Sequence, residues 1–133
     1  MGRIVAREKL FQLVFEQCFH EESEFLYDEI LEDVNIDDEN KEWLSTLYGG
    51  IIENKHEIMS DLQKYIEGYK VEDLFKIDLA ILIMAYYELL YYRETPAKIV
   101  ANESVELAKK FSTDKSARFV NGVVAKIIKD IEG

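Results

Sequence analysis

Residues 78–92 read Asp78-Leu79-Ala80-Ile81-Leu82-Ile83-Met84-Ala85-Tyr86-Tyr87-Glu88-Leu89-Leu90-Tyr91-Tyr92. Almost every position is apolar, so a helix built on this stretch has no face left for water and belongs at the centre of a fold. It is shorter than the roughly 20 apolar residues of a membrane span and is interrupted by Glu88. That carboxylate has two readings: an acid with a shifted pKa, or a buried group satisfied by hydrogen bonds.

Working outward, the downstream start signal is Thr95-Pro96, a good N-cap followed by proline at the first helical position. Ala97, Val100, Ala101, Val105, Ala108 and Phe111 then form one stripe. Ser112 or Thr113 caps a last helix with core positions Ala117, Val120, Val124, Ile127 and Ile131. Upstream, residues 71–75 read as a short turn, and a helix over residues 55–66 ends near Gly68. Before it, Asp37 or Asp38 caps a helix carrying Trp43, Leu44, Leu47, Tyr48, Ile51 and Ile52. Gly49 and Gly50 inside it cost about 1 kcal/mol each against alanine, which points to close packing by another helix. Residues 24–33 form a helix with Phe25, Leu26, Ile30 and Leu31 inward. Residues 4–19 form the first helix, whose Val5, Leu10, Phe11, Val14 and Phe15 mark one face. No strand periodicity persists and Pro96 is the only proline. The pattern predicts an all-α chain of about seven helices joined by short connections, which favour antiparallel neighbours in a single domain over residues 1–133.

Bulk properties narrow the function. The 133 residues are 48% hydrophobic, enough for one core. A lone thiol, Cys18, excludes an internal disulfide and a cysteine-rich zinc site, and His20 and His56 fall on different helices, so no metal is expected. No secretion signal pattern is present, which predicts a cytoplasmic protein. Phosphate loops, dinucleotide fingerprints and nucleophile elbows are missing, which argues against catalysis. The net charge of −11 argues on average against nucleic acid. Distribution matters more than the sum, because eleven of the 27 acids lie between Glu21 and Glu42.

Two stretches hold cations. Arg3, Arg7 and Lys9 lie on the first turns of the first helix, where the dipole is also positive; this is either a solvated helix start or an anion-binding patch. Between Lys109 and Lys129 there are six cations, Lys109, Lys110, Lys115, Arg118, Lys126 and Lys129, against the single acid Asp114. Residues 112–119 combine hydroxyls, free helix N–H groups, two cations and Phe119. That mixture suits single-stranded nucleic acid, with cations on phosphate and a ring under a base. Ordinary capping beside a core phenylalanine is the alternative.

At this point the residues resemble a family. Pro96-Ala97-Lys98-Ile99-Val100-Ala101-Asn102-Glu103-Ser104-Val105-Glu106-Leu107-Ala108-Lys109-Lys110-Phe111, followed by Arg118-Phe119-Val120-Asn121-Gly122-Val123-Val124, is similar to the pattern of the NusB transcription antitermination family. Asp78-Leu79-Ala80-Ile81-Leu82 and Ala85-Tyr86-Tyr87-Glu88-Leu89 resemble the family's central helix, and Ala6-Arg7-Glu8 through Leu13, Phe15 and Gln17 resemble its first.

The resemblance implies two small helical bundles and no reaction or cofactor. It implies binding to boxA RNA, a single-stranded element of ribosomal-operon leader transcripts, together with NusE, a small-subunit ribosomal protein, in an antitermination complex on RNA polymerase. Arg3, Arg7, Lys115, Arg118 and Phe119 then fall on the RNA side. Phe15 and Asp78 fall on the NusE side. Asn102, Glu103 and Asn121 match motif positions read as capping or helix docking. The chain departs from many relatives: Ile4 and Val5 separate Arg3 from Arg7, Leu79 and Ile83 stand at positions often basic, and Phe15 lacks a hydroxyl. Fewer cations predict weaker, less salt-sensitive RNA binding that emerges mainly with NusE bound. The alternatives are a protein-binding helical scaffold and an accessory module like that of ribosomal-RNA cytosine methyltransferases. Self-association as a homodimer stays open.

Overall fold

The structure, a computed structural model, describes residues 2–19 and 24–133, leaving aside the side chains of residues 24–26. His20 and the side chains of Phe25 and Leu26 therefore lie outside the described residues. Among the described residues six α-helices follow one another: α1 (Gly2–Gln17), α2 (Glu24–Glu32), α3 (Asp38–Leu62), α4 (Lys76–Tyr87), α5 (Ala97–Phe111) and α6 (Asp114–Glu132). Among the described residues there is no strand. No helix there is long and apolar enough to cross a membrane.

The apolar stretch that opens the sequence becomes α4. It packs against α1 and α3 and against α5 and α6, so it is the shared wall of two small bundles. Leu79, Ile81, Leu82 and Ile83 are almost wholly buried, each contributing roughly 1.5–3 kcal/mol of hydrophobic stabilisation. The helix leaves through a π-type turn over Glu88–Tyr92, in which Arg93 N–H donates to the Glu88 carbonyl at 2.9 Å. Arg93 then takes the left-handed conformation, φ 61°, that turns the chain toward α5.

Several expectations change on packing. The two helices expected around residues 43–66 are one continuous 25-residue helix, α3. Its glycines behave differently. A Cβ on Gly50 would collide with the Tyr87 hydroxyl of α4, so close packing explains that position; Gly49 faces open space. Val5 (44% exposed) and Ile131 (41%) lie outside the core faces assigned to them. On α1 the buried register is Ala6, Arg7, Leu10, Leu13, Val14 and Gln17, with Phe11 beside it. That register includes an arginine.

The caps are partly as expected. Asp37 accepts the Asn40 N–H at 2.9 Å at the start of α3, and Thr113 accepts the Ser116 N–H at 3.1 Å at the start of α6. Thr95 does not cap α5: its hydroxyl donates to Glu88 at 2.8 Å, because a buried carboxylate is the stronger acceptor nearby. Cys18 is buried and burial pushes its thiol pKa up, while His56 is exposed.

Candidate nucleic-acid and partner interface

The sequence points to two helix starts, and the structure treats them differently. At the start of α1, Arg7 is 5% exposed. Its guanidinium grips Glu88, with Nη2 at 2.8 and 3.0 Å from the two carboxylate oxygens and Nε at 3.2 Å from one. The Thr95 hydroxyl completes that carboxylate. Glu88 is thus a satisfied buried charge, the second of the two readings above. Arg7 also lies 5.0 Å from the Trp43 ring centroid, and Arg3 stacks on the same ring at 4.6 Å while donating to Asn40 Oδ1 at 2.8 Å. Arg3 stays half-exposed; Arg7 is part of the interior.

At the start of α6, Lys115 and Arg118 are exposed and Phe119 half-buried. Among the described residues neither cation has an ion-pair partner. They face two different concavities. Lys115 and Phe119 share one of about 370 Å³ with Asp78 and with the exposed rings of Phe75 and Tyr69. Arg118 lines a wider groove of about 750 Å³ between α5 and α6.

Asp78 sits at the floor of the smaller concavity. It is 4% exposed. Ser116 Oγ donates to its Oδ2 at 3.2 Å, and its buried Oδ1 has no hydrogen-bond partner among the described residues. Burial raises its pKa and the Ser116 bond opposes that rise. The concavity above this desolvated carboxylate is framed by Phe75 (77% exposed) and Tyr69 (66%), which suits a partner that brings an apolar side chain. Nothing in the sequence pattern singled out Phe75 and Tyr69. Their signal is two bulky aromatics in a short connection with no helical stripe to join.

Phe15 is the middle of an aromatic ladder. Phe111 and Phe11 stack at 4.9 Å, Phe11 and Phe15 at 6.0 Å, and Phe15 meets Phe19 edge-on at 5.1 Å. The ladder ends at Phe19, which is 52% exposed.

Acids accompany the cations at the start of α1. A cleft of α1 and α5 beside Arg7 carries Glu8, Glu103 and Glu106, with Lys110 tied to Glu8 at 2.6 Å. Asn102 and Asn121 neither cap nor dock helices: both are exposed, and neither hydrogen-bonds another described residue.

Comparison with known proteins places this architecture. The family model described as the NusB family matches residues 3–129. The chain belongs to the NusB family. A NusB transcription antitermination protein of Agathobacter rectalis is 38% identical over 95% of this chain and 98% of its own. The solved NusB of T. maritima superposes with a TM-score of 0.87 at 32% identity, covering 96% of this chain and 90% of the other. A solved complex of the antitermination factors NusB and NusE with double-stranded RNA contains a chain that superposes at 0.86 with 25% identity, covering 97% of each.

Proposed function

We propose that this chain is a transcription antitermination factor that binds boxA RNA of ribosomal-operon leader transcripts together with NusE, and so helps RNA polymerase resist termination. It acts by binding, in the cytoplasm, without catalysing a reaction and without a cofactor. The observation that carries this reading, beside the full-length likeness to antitermination proteins, is the start of α6. There Lys115, without an ion-pair partner among the described residues, and the half-buried ring of Phe119 share a concavity with a buried carboxylate that has one idle oxygen, while Arg118, equally without a partner there, lines the neighbouring groove.

In this reading Lys115, Arg118 and Arg3 neutralise phosphates and Phe119 offers a face to a base. Asp78 takes a donor from NusE, and the Phe15–Phe19 end of the ladder gives the partner an apolar contact. Arg7 supports the RNA side from behind: its pair with Glu88 fixes the first turns of α1, on which Arg3 rides. RNA and protein partner meet at one concavity, shared by Lys115, Phe119 and Asp78. A bound NusE therefore completes a surface that is too weakly positive to hold RNA tightly alone.

Titration of boxA RNA at several salt concentrations, with and without NusE, tests this. NusE is expected to raise affinity, and Lys115→Glu and Arg118→Glu are each expected to lower the salt slope by about 0.7, the value for one phosphate on a single strand. Equal affinity with and without NusE, or charge-reversed variants that bind as the parent does, would overturn it.

A further inference from the structure

The groove between α5 and α6 is polar, open and unused by the fold. From α5 it receives Asn102, Glu106 and Lys109, and from α6 Asp114, Arg118 and Asn121. The spacings 102, 106, 109 and 114, 118, 121 each follow one face of a helix. Because the helices are joined by a two-residue turn they run antiparallel, so Lys109 and Asp114 lie toward the turn, and Asn102 and Asn121 lie at the groove end away from it.

Three features call for an external ligand. Asparagine is a poor mid-helix residue, since its side chain competes for the backbone, yet two line this one groove, one from each helix, and neither side chain has a hydrogen-bond partner among the described residues. Next to Asn121, Gly122 is exposed and a Cβ there would meet nothing, so internal packing does not require it; it costs α6 about 1 kcal/mol against alanine. Finally, two cations and two acids cancel along the groove, which makes it a trough of mixed donors and acceptors rather than a phosphate channel.

We propose that this groove reads bases of the single-stranded RNA whose backbone lies along the start of α6, with the amides of Asn102 and Asn121 as specificity-determining groups. An amide presents a donor and an acceptor side by side and matches the paired edge of a base; Glu106 can accept from an exocyclic amine, and Arg118 can stack on a base plane. Gly122, beside Asn121 but outside the groove lining, leaves the α6 backbone open at the groove's edge. A protein helix would want an apolar floor, which only Val105 and Ala117 supply. The groove assignment rests on the RNA reading above, because Arg118 is the residue that joins the groove to the proposed phosphate contacts.

The test uses the full chain with NusE and measures the ratio of affinities for boxA RNA and for a permuted RNA of the same composition. Asn102→Ala and Asn121→Ala are each expected to lower that ratio about tenfold while leaving the salt slope unchanged. Both positions are exposed and alanine favours helix, so the variants fold; circular dichroism checks this. Asn102→Asp, which exchanges a donor for an acceptor, is expected to change which base is preferred rather than to abolish binding. If Lys115→Glu and Phe119→Ala leave RNA affinity intact, the RNA reading falls and the groove assignment with it. If those two weaken RNA binding but the Asn102→Ala, Asn121→Ala double variant keeps the parental ratio, only the groove assignment falls.

Discussion

The starts of α1 and α6 carry similar charges and put them to opposite uses. Arg7 is held against Glu88 with side-chain exposures of 6% and 3%, so its charge is spent inside the molecule. Lys115 and Arg118 stand in solvent with no ion-pair partner among the described residues, so theirs is available outside. The difference comes from helical register. Arg7 falls on the inward line with Ala6, Leu10 and Leu13, whereas the inward line of α6 runs through Ser116, Ala117, Val120 and Val124 and leaves the two cations on the flanks.

The strongest way to break this contrast is to remove the buried cation. Arg7→Ala strands Glu88 as an unpaired buried charge and is expected to cost about 3–5 kcal/mol of stability in denaturant unfolding. Lys115→Glu, at the other start, is expected to change stability by less than about 0.5 kcal/mol. Equal losses would mean that both starts are structural. The middle-sized effect concerns α6 alone. Gly122→Ala is expected to stabilise the free protein by about 1 kcal/mol and to weaken RNA binding, whereas stabilisation with unchanged RNA binding would remove Gly122 from the interface.

The smallest effect sharpens the contrast between a satisfied and an unsatisfied buried acid. Burial raises the Asp78 pKa above its unfolded value. Its contribution to stability is therefore most favourable below the ordinary carboxylate range and is lost as pH rises through the raised pKa, leaving a penalty at neutral pH. Asp78→Asn is expected to flatten that part of the pH–stability profile, to raise stability slightly at pH 7, and to weaken binding to NusE. A less stable variant at pH 7 would show that the carboxylate is fully compensated in the free protein.

Much of the fold was legible in the chain because it is written in local periodicity. The all-round apolar run of α4, the Thr113 cap and the stripes of α5 and α6 depend on neighbours three or four residues apart. The continuity of α3 was not legible. Gly49-Gly50 looks like a break, and only the Tyr87 hydroxyl seated against Gly50 shows why a glycine stands inside one long helix. The same limit applies to the site. Asp78, Lys115 and Phe119 could each be named from motif and charge, but not the concavity that joins them, nor the division that sends Arg118 to a separate groove.

The sequence by itself determined the class of fold, the central helix and the family, since periodicity, caps and motif spacing are properties of adjacent residues. Only the tertiary structure decided which charges reach solvent. Arg7 and Glu88 are 81 residues apart and meet because two helices pack in one particular rotation. A rotation of about 100° on α1, one residue's step, would have carried Arg7 away from Glu88 and broken the pair.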